Sequence, residues 1–498
     1  MKKSIITACC LLCVIGLYAV QQKNENGKMG RPPLPPDFDG EFKDFPDGFG
    51  KIPDETEPEL IAAVEVSEES KTLSDQTIST DESDKSGVLA KNRAFLTLSN
   101  SVVNKTGDSS NDGQSNFYGL NGALVANSNA SIVLQNVTVN SDADGSNAVF
   151  ATGEDSKINA ENLKIRTKKN SSRGLDATYG GKITAKNVDI ETEGAHSAAF
   201  ATDRGEGTII VDGGTARTKG EGSPVIYSTG NISVRNLEGV SEGSEIAVIE
   251  GKNSITLNKV KLIGGTKNRR EEGSGIMLYQ SMSGDANRGT SVFRANDSVL
   301  TSTSDGAFFY ITNTIAEIDL SSTTLENESG LLLNVAGNTS ERGWGRRGCN
   351  GGILTFSSAN QKLEGDIRVD AISKADLHFG AKTDFTGAIN KELLTSNVNL
   401  KISKSATITL TGDSYVNELI NEDSDFSNIE SNGYTIYYNK RSKANAYLKG
   451  KSYDLKGGGK LVGIEMKETK LPTPSKKRFK KGGKRPPEPP KGKAPNMM

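Results

Sequence analysis

The chain has 498 residues, of which 34% are hydrophobic and 6% aromatic, with 54 glycines and a formal net charge of -2. So little apolar mass spread over so long a chain disfavours a thick globular core and suits many short strands and turns around a thin, repeated core. Two histidines far apart in sequence exclude a His/Cys metal cluster by number.

The opening segment MKKSIITACCLLCVIGLYAVQQ sets Lys2 and Lys3 before an apolar run to about Val20. That order is expected of a secretory signal peptide cut after Ala19, or of an uncleaved N-terminal anchor, over residues 1–22. Cys9, Cys10 and Cys13 fall inside it, so Cys349 would be the single cysteine of a processed chain and no internal disulfide could form. Residues 23–90 are dense in Pro, Gly and acids, as in GRPPLPPDFDGEFKDFPDGFGKIPDETEPEL, and read as an acidic linker.

From Lys91 onward one phrase returns: SIVLQNVTV from Ser131, KINAENLKI from Lys157, KITAKNVDI from Lys182, TIIVDGGTA from Thr208, NISVRNLEG from Asn231, SITLNKVKL from Ser254 and SVFRANDSV from Ser291. In this register Asn136, Asn162, Asn187, Gly213, Asn236, Lys259 and Asn296 correspond, at spacings of about 23 to 26 residues with one of about 37. Each phrase alternates apolar and polar residues, meets Asn or Gly, and alternates again. Period-two alternation predicts a strand with one buried face, and Asn or Gly tolerates the left-handed backbone of a tight bend. The asparagines Asn136, Asn162, Asn187, Asn236 and Asn296 are therefore expected as stacked corners.

Such a unit cannot bury its own apolar face, whereas stacking units makes a continuous interior. The expected fold is all-β, a single-stranded right-handed parallel β-helix over residues 91–466 with disordered arms at both ends. A third strand per coil is expected at NAVFAT, GLDATY, SAAFAT, SPVIYST, SEIAVIE, SGIMLYQ, DGAFFYI and SGLLLNV, with Phe150, Ala177, Phe200, Tyr227, Val248, Leu278, Phe309 and Leu333 as an inward column. Residues 467–498 form a basic, proline-rich tail whose Lys476, Lys477, Arg478, Lys480, Lys481, Lys484 and Arg485 suit contact with an anionic envelope.

Chemistry is sparse. GGTKNRREEGSG lacks the Lys-Ser/Thr of a phosphate loop, and no nucleic-acid partner or cofactor is expected. Neither His196 nor His378 has a visible nucleophile beside it, and Asp176 is the one carboxylate in the aligned outward column, so no catalytic residue and no metal ligand is assigned. Ile226, Ile249, Met277, Tyr279, Phe308 and Tyr310 are expected to project from one face, interrupted by the insertions SMSGDANRG and NTSERGWGRRGCNGG. An exposed apolar strip marks a binding surface unless loops fold over it. Ile226, Met277, Tyr279, Phe308 and Tyr310, with Arg342, Trp344 and Arg346 from the second insertion, are the candidate binding residues.

The phrases GLDATYGG, SAAFATDRGEGT, GSPVIYSTG, SEIAVIEGKNSITL, GSGIMLYQSMSGDANRGTSVF and NVAGNTSERGWG resemble a family of exported bacterial adhesin-like proteins in the pectate-lyase-like right-handed β-helix superfamily. The resemblance spans about Lys91 to Tyr438. It implies a secreted or cell-surface β-helix of adhesin-like kind and carries over no catalytic residue; the expected function is non-enzymatic binding of a glycan or protein partner. The alternatives are a polysaccharide lyase or glycoside hydrolase of that fold and a passive envelope spacer.

Overall fold

The computed structural model describes residues 56–472 apart from 270–271 and 342–343. The signal or anchor segment, the first part of the acidic linker and the basic tail beyond Pro472 lie outside the described residues.

The coil can be built from Lys182–Thr192. Ile183, Ala185, Val188 and Ile190 are buried on one side, and Lys186 and Asn187 are exposed together in the middle. Asn187 takes φ 52°, so the chain turns there and the alternation restarts in phase with the interior. The strand pairs in parallel, residue for residue, with Lys157–Thr167 on one side and Thr208–Thr218 on the other. Five such eleven-residue strands succeed one another. The corner also explains why Phe95–Ser99 and Val102–Lys105 pair with the two halves of Ser131–Ser141.

A second row of short strands closes the other side of each coil. Twelve of them, from Ile61–Ser67 to Asp366–Val369, form one parallel sheet. The result is a β-solenoid of about sixteen stacked parallel coils. One apolar core runs through it from Val66 to Leu461, each buried Leu, Ile or Phe contributing roughly 1.5–3 kcal/mol of transfer free energy. At the C-terminal end Tyr453–Asp454 pairs antiparallel with Lys460–Ile464, which covers that edge as an end cap should.

The asparagine corners stack by their amides. Asn136 Nδ2 donates to Asn100 Oδ1 at 3.0 Å, Asn162 to Asn136 at 2.9 Å and Asn187 to Asn162 at 2.7 Å. The ladder stops at Gly213, which has no amide, and Asn236 donates instead to Asp212 Oδ1 at 2.7 Å. Asn296 is a correction. In its coil the left-handed residue is Asp297, at φ 49°, while Asn296 pairs with Asn258 one position earlier.

Two further expectations are revised. The linker does not extend to residue 90, because Ile61–Ser67, Ser70–Ser74, Thr77–Thr80 and Lys85–Lys91 are strands of the solenoid. Alternating apolar residues in TLSDQTIST place it there despite the acidic composition. The inward column of the short strands runs through Val149, Leu175, Phe200, Ile226, Ala247, Ile276, Phe309 and Leu333. Phe150, Tyr227 and Val248, expected inside, lie instead in the outward column with Asp176, Met277 and Tyr310. Ala177 and Leu278 do face inward, two positions along.

Candidate functional site

The outer face of the twelve-stranded sheet is covered by three insertions. The first contains the helix Asp112–Tyr118, begun by Asn111, whose side chain accepts the Gln114 N–H at 3.1 Å, and ended by Gly119 in the left-handed region. It lies over Leu89, Val125 and Phe150, which form a small cluster with Leu120 outside the solenoid core. The other two insertions are residues 280–289 and 338–350. Nothing in the strand alternation announced the helix; the Asn111 and Gly119 caps are the signals that could have.

Beneath the later insertions Val248, Met277, Tyr279, Tyr310, Ala336 and Trp344 pack together, with half-buried Tyr227 at the margin. Trp344 lies against Tyr279 with ring centroids 4.5 Å apart and planes at 47°. Its carbonyl accepts from Asn338 and Asn350, and Tyr310 donates to the Gly337 carbonyl at 3.1 Å, so the insertion is fastened at several points.

Beside this cluster lies a buried charged network. Asp176 has no exposed surface, Asp203 is 5% exposed and Glu250 2%. Arg173 reaches Asp203 at 2.9 Å, Asp176 at 3.7 Å and Asn116 of the helix at 2.6 Å. Arg204 pairs with Asp285 of the second insertion at 2.6 Å and lies 3.9 Å over the Phe117 ring. Glu250 accepts from Tyr227 and Tyr279, each at 2.8 Å, and from Ser281.

Burial raises all three carboxyls above the ordinary carboxylate range. Asp203 is pushed up to about 7, with Arg173 opposing the shift and Asp285 and Glu250 adding to it. Asp176 is raised well above its usual value by burial, with Arg173 opposing the shift and Asp203 adding to it. Glu250 is also raised, less freely, because Ser281, Tyr279 and Tyr227 donate to its ionised form. Among the described residues no group of three or more His, Cys, Asp or Glu is arranged to hold a metal ion.

The strip expected to lie open is therefore closed. Ile226, Ile249 and Phe308 point into the solenoid core. Met277, Tyr279 and Tyr310 do project outward, but they are buried with Trp344 under the insertions. Arg346 is exposed, and Arg342 lies outside the described residues. What remains open is elsewhere. A shallow groove of about 400 Å³ crosses several coils between Asn258, Arg294, Asn296, Asp319 and Ser357. Further along the helix axis Tyr415 and Tyr437 stack half-exposed at 4.7 Å, close to the exposed Leu393 and Leu394 of a loop whose Asn390 donates to the Tyr415 carbonyl. Neither the charged network nor this tyrosine pair is legible in the strand alternation.

No protein-family profile matches the chain, and no solved structure matches it. Among curated proteins, the BrkA autotransporter of Bordetella pertussis is 29% identical over 157 residues, which is 30% of this chain and 15% of that protein. The matched stretch thus spans a small part of the length of its relative. The partial likeness and the β-solenoid together fit a parallel β-helix of autotransporter or adhesin-like kind.

Proposed function

We propose that this chain is an exported, surface-displayed adhesin-like β-helix that acts by binding a glycan or a protein partner. The observation that carries the reading is the sealed state of its buried carboxylates. Asp176, Asp203 and Glu250, the groups on this face suited to acid and base roles in glycosidic bond cleavage, are at most 5% exposed and held by ion pairs or tyrosine hydroxyls. Burial of this degree beneath the described parts of the insertions supports binding over cleavage. The likeness to an autotransporter over 30% of the chain supports display outside the cell.

Binding then falls to the open surface, where half-exposed Tyr415 and Tyr437 stack and Leu393 and Leu394 are exposed on a loop joined to the Tyr415 backbone through Asn390. Glycan-array and cell-binding assays with the wild-type chain and a Tyr415→Ala/Tyr437→Ala variant test this. Loss of binding by a folded variant supports the assignment, and unchanged binding removes the surface. The raised carboxyls favour a second reading, a polysaccharide-cleaving enzyme whose cover opens. Chain cleavage across a polysaccharide panel, with and without calcium, that Asp203→Asn abolishes would establish it against the binding role.

A further inference from the structure

The two ends of the solenoid differ in a way that the middle does not explain. At the C-terminal end the last parallel strand is covered by an antiparallel one. At the N-terminal end Ile61–Ser67, Ser70–Ser74 and Thr77–Thr80 each pair on one side only among the described residues, with Lys85–Lys91, Phe95–Ser99 and Val102–Lys105. An open row of backbone donors and acceptors is a template for another chain.

This first coil is strongly acidic. Residues 57–84 hold nine Asp and Glu against one lysine. Glu68, Glu69 and Asp75 are exposed, and Glu68 and Asp75 occupy left-handed corners at φ 57° and 56°. Like charges resist pairing of two such ends with each other, so the acids select an oppositely charged occupant.

Such a segment is present in the same chain. Residues 473–498 hold nine Lys and Arg against one Glu. We propose that the acidic edge of the first coil, unpaired among the described residues, is the docking surface for the basic segment 473–498 of a second copy, so that copies associate head to tail.

The geometry directs the contact to a second copy. Thr469 is bound to Ser396 in both directions, at 3.0 and 2.7 Å, and its carbonyl accepts from Asn397 at 3.0 Å. The tail therefore departs beside the coil of Ser396, about twelve coils from the first. At about 4.8 Å per coil that is roughly 58 Å. From the anchored Thr469 to Arg485 a fully extended chain covers at most about 58 Å, so within one molecule only the far end of the cluster Lys476–Arg485 could touch the first coil, and the cluster cannot lie along it. A contact between unlike surfaces of identical copies leaves one free end on each, and it builds a chain of molecules or a ring.

Sedimentation velocity of the exported chain, run at low and high salt, tests this. The expected result is concentration-dependent association at 25 mM NaCl that reverts to monomer at 500 mM. Deletion of 473–498 and the double charge reversal Glu68→Lys/Glu69→Lys should each give a monomer with unchanged circular dichroism and melting temperature. Mixing the two variants should restore a one-to-one complex that grows no further, since one partner keeps the acidic edge and the other the basic segment. A chain that is monomeric at every salt concentration overturns the proposal, as does association that survives the deletion. A basic segment that binds anionic vesicles while the mixed variants stay apart assigns it to a membrane surface and equally overturns the proposal.

Discussion

Trp344 stands on Tyr279 with ring centroids 4.5 Å apart, although 65 residues and two coils separate them in the chain. This contact joins an insertion to the outer face of the short-strand sheet, and Tyr279 passes it on to Glu250 through a 2.8 Å hydrogen bond. The aromatic seal and the buried charged network are thus one construction.

Trp344→Ala should loosen residues 338–350 without unfolding the solenoid, because Trp344 belongs to a small outer cluster and not to the continuous core. Truncating a buried tryptophan costs about 3–5 kcal/mol where the gap stays closed. Here the cost should fall on the cover. Hydrogen exchange is expected to rise across the insertion and near Tyr279 and Tyr310, with protection of Lys157–Thr167 and Lys182–Thr192 unchanged.

The covered face should be most stable in acid. In an unfolded chain Asp and Glu titrate near pH 4, whereas burial holds Asp176, Asp203 and Glu250 above that, Asp203 to about 7. The folded state keeps protons that the unfolded state releases, so this contribution is complete below about pH 4 and is lost as pH rises, the share of Asp203 as pH passes through about 7. Arg173 and Arg204 oppose the shift at Asp203, and Tyr227 and Tyr279 oppose it at Glu250, whereas Asp285 adds to both; His196 also faces the network. The protein has a single tryptophan, 4% exposed, so its emission should shift to the red between pH 5 and 8 as the cover loosens. Asp203→Asn should flatten the fall in melting temperature over that interval.

The interrupted amide ladder offers a paired test. Gly213 has φ 85°, and a side chain there would meet nothing closer than the Asn236 carbonyl at 3.8 Å. Gly213→Asn should therefore be tolerated, within about 0.5 kcal/mol of wild type or more stable, by continuing the stack from Asn187. Gly214 has φ 120°, and an added Cβ would lie 2.0 Å from the Val188 carbonyl oxygen. Gly214→Ala should cost about 3 kcal/mol or more, since backbone must move. Urea denaturation of the two variants measures both.

Neighbouring residues Phe309 and Tyr310 should behave differently. Phe309 faces the core, at 5.6 Å from the Phe293 ring and 4.9 Å from Phe308, and Phe309→Ala should lower global stability by about 3–5 kcal/mol. Tyr310→Ala should instead release the cover, seen as dye binding to exposed apolar surface with little change in the denaturation midpoint.

The sequence by itself determined the coil and its corners. Both are local: period-two alternation through Ile183, Ala185, Val188 and Ile190 specifies which side is buried, and the left-handed bend at Asn136, Asn162, Asn187 and Asn236 is a preference of the residue itself. Asp297 shows the margin of that rule, since Asn296 and Asp297 are adjacent and either tolerates the bend. What only the tertiary structure decided was the direction of the short strands and what lies over them. Strands such as Val149–Thr152, Ala247–Glu250 and Ser274–Tyr279 are buried on both faces, so alternation is lost, and a slip of one residue exchanges Phe150 for Val149 in the core without any local penalty. The covers are longer-range still. Arg204 meets Asp285 across 81 residues and Arg173 meets Asn116 across 57, and such pairings are chosen by the stacking of coils, which no window of sequence contains.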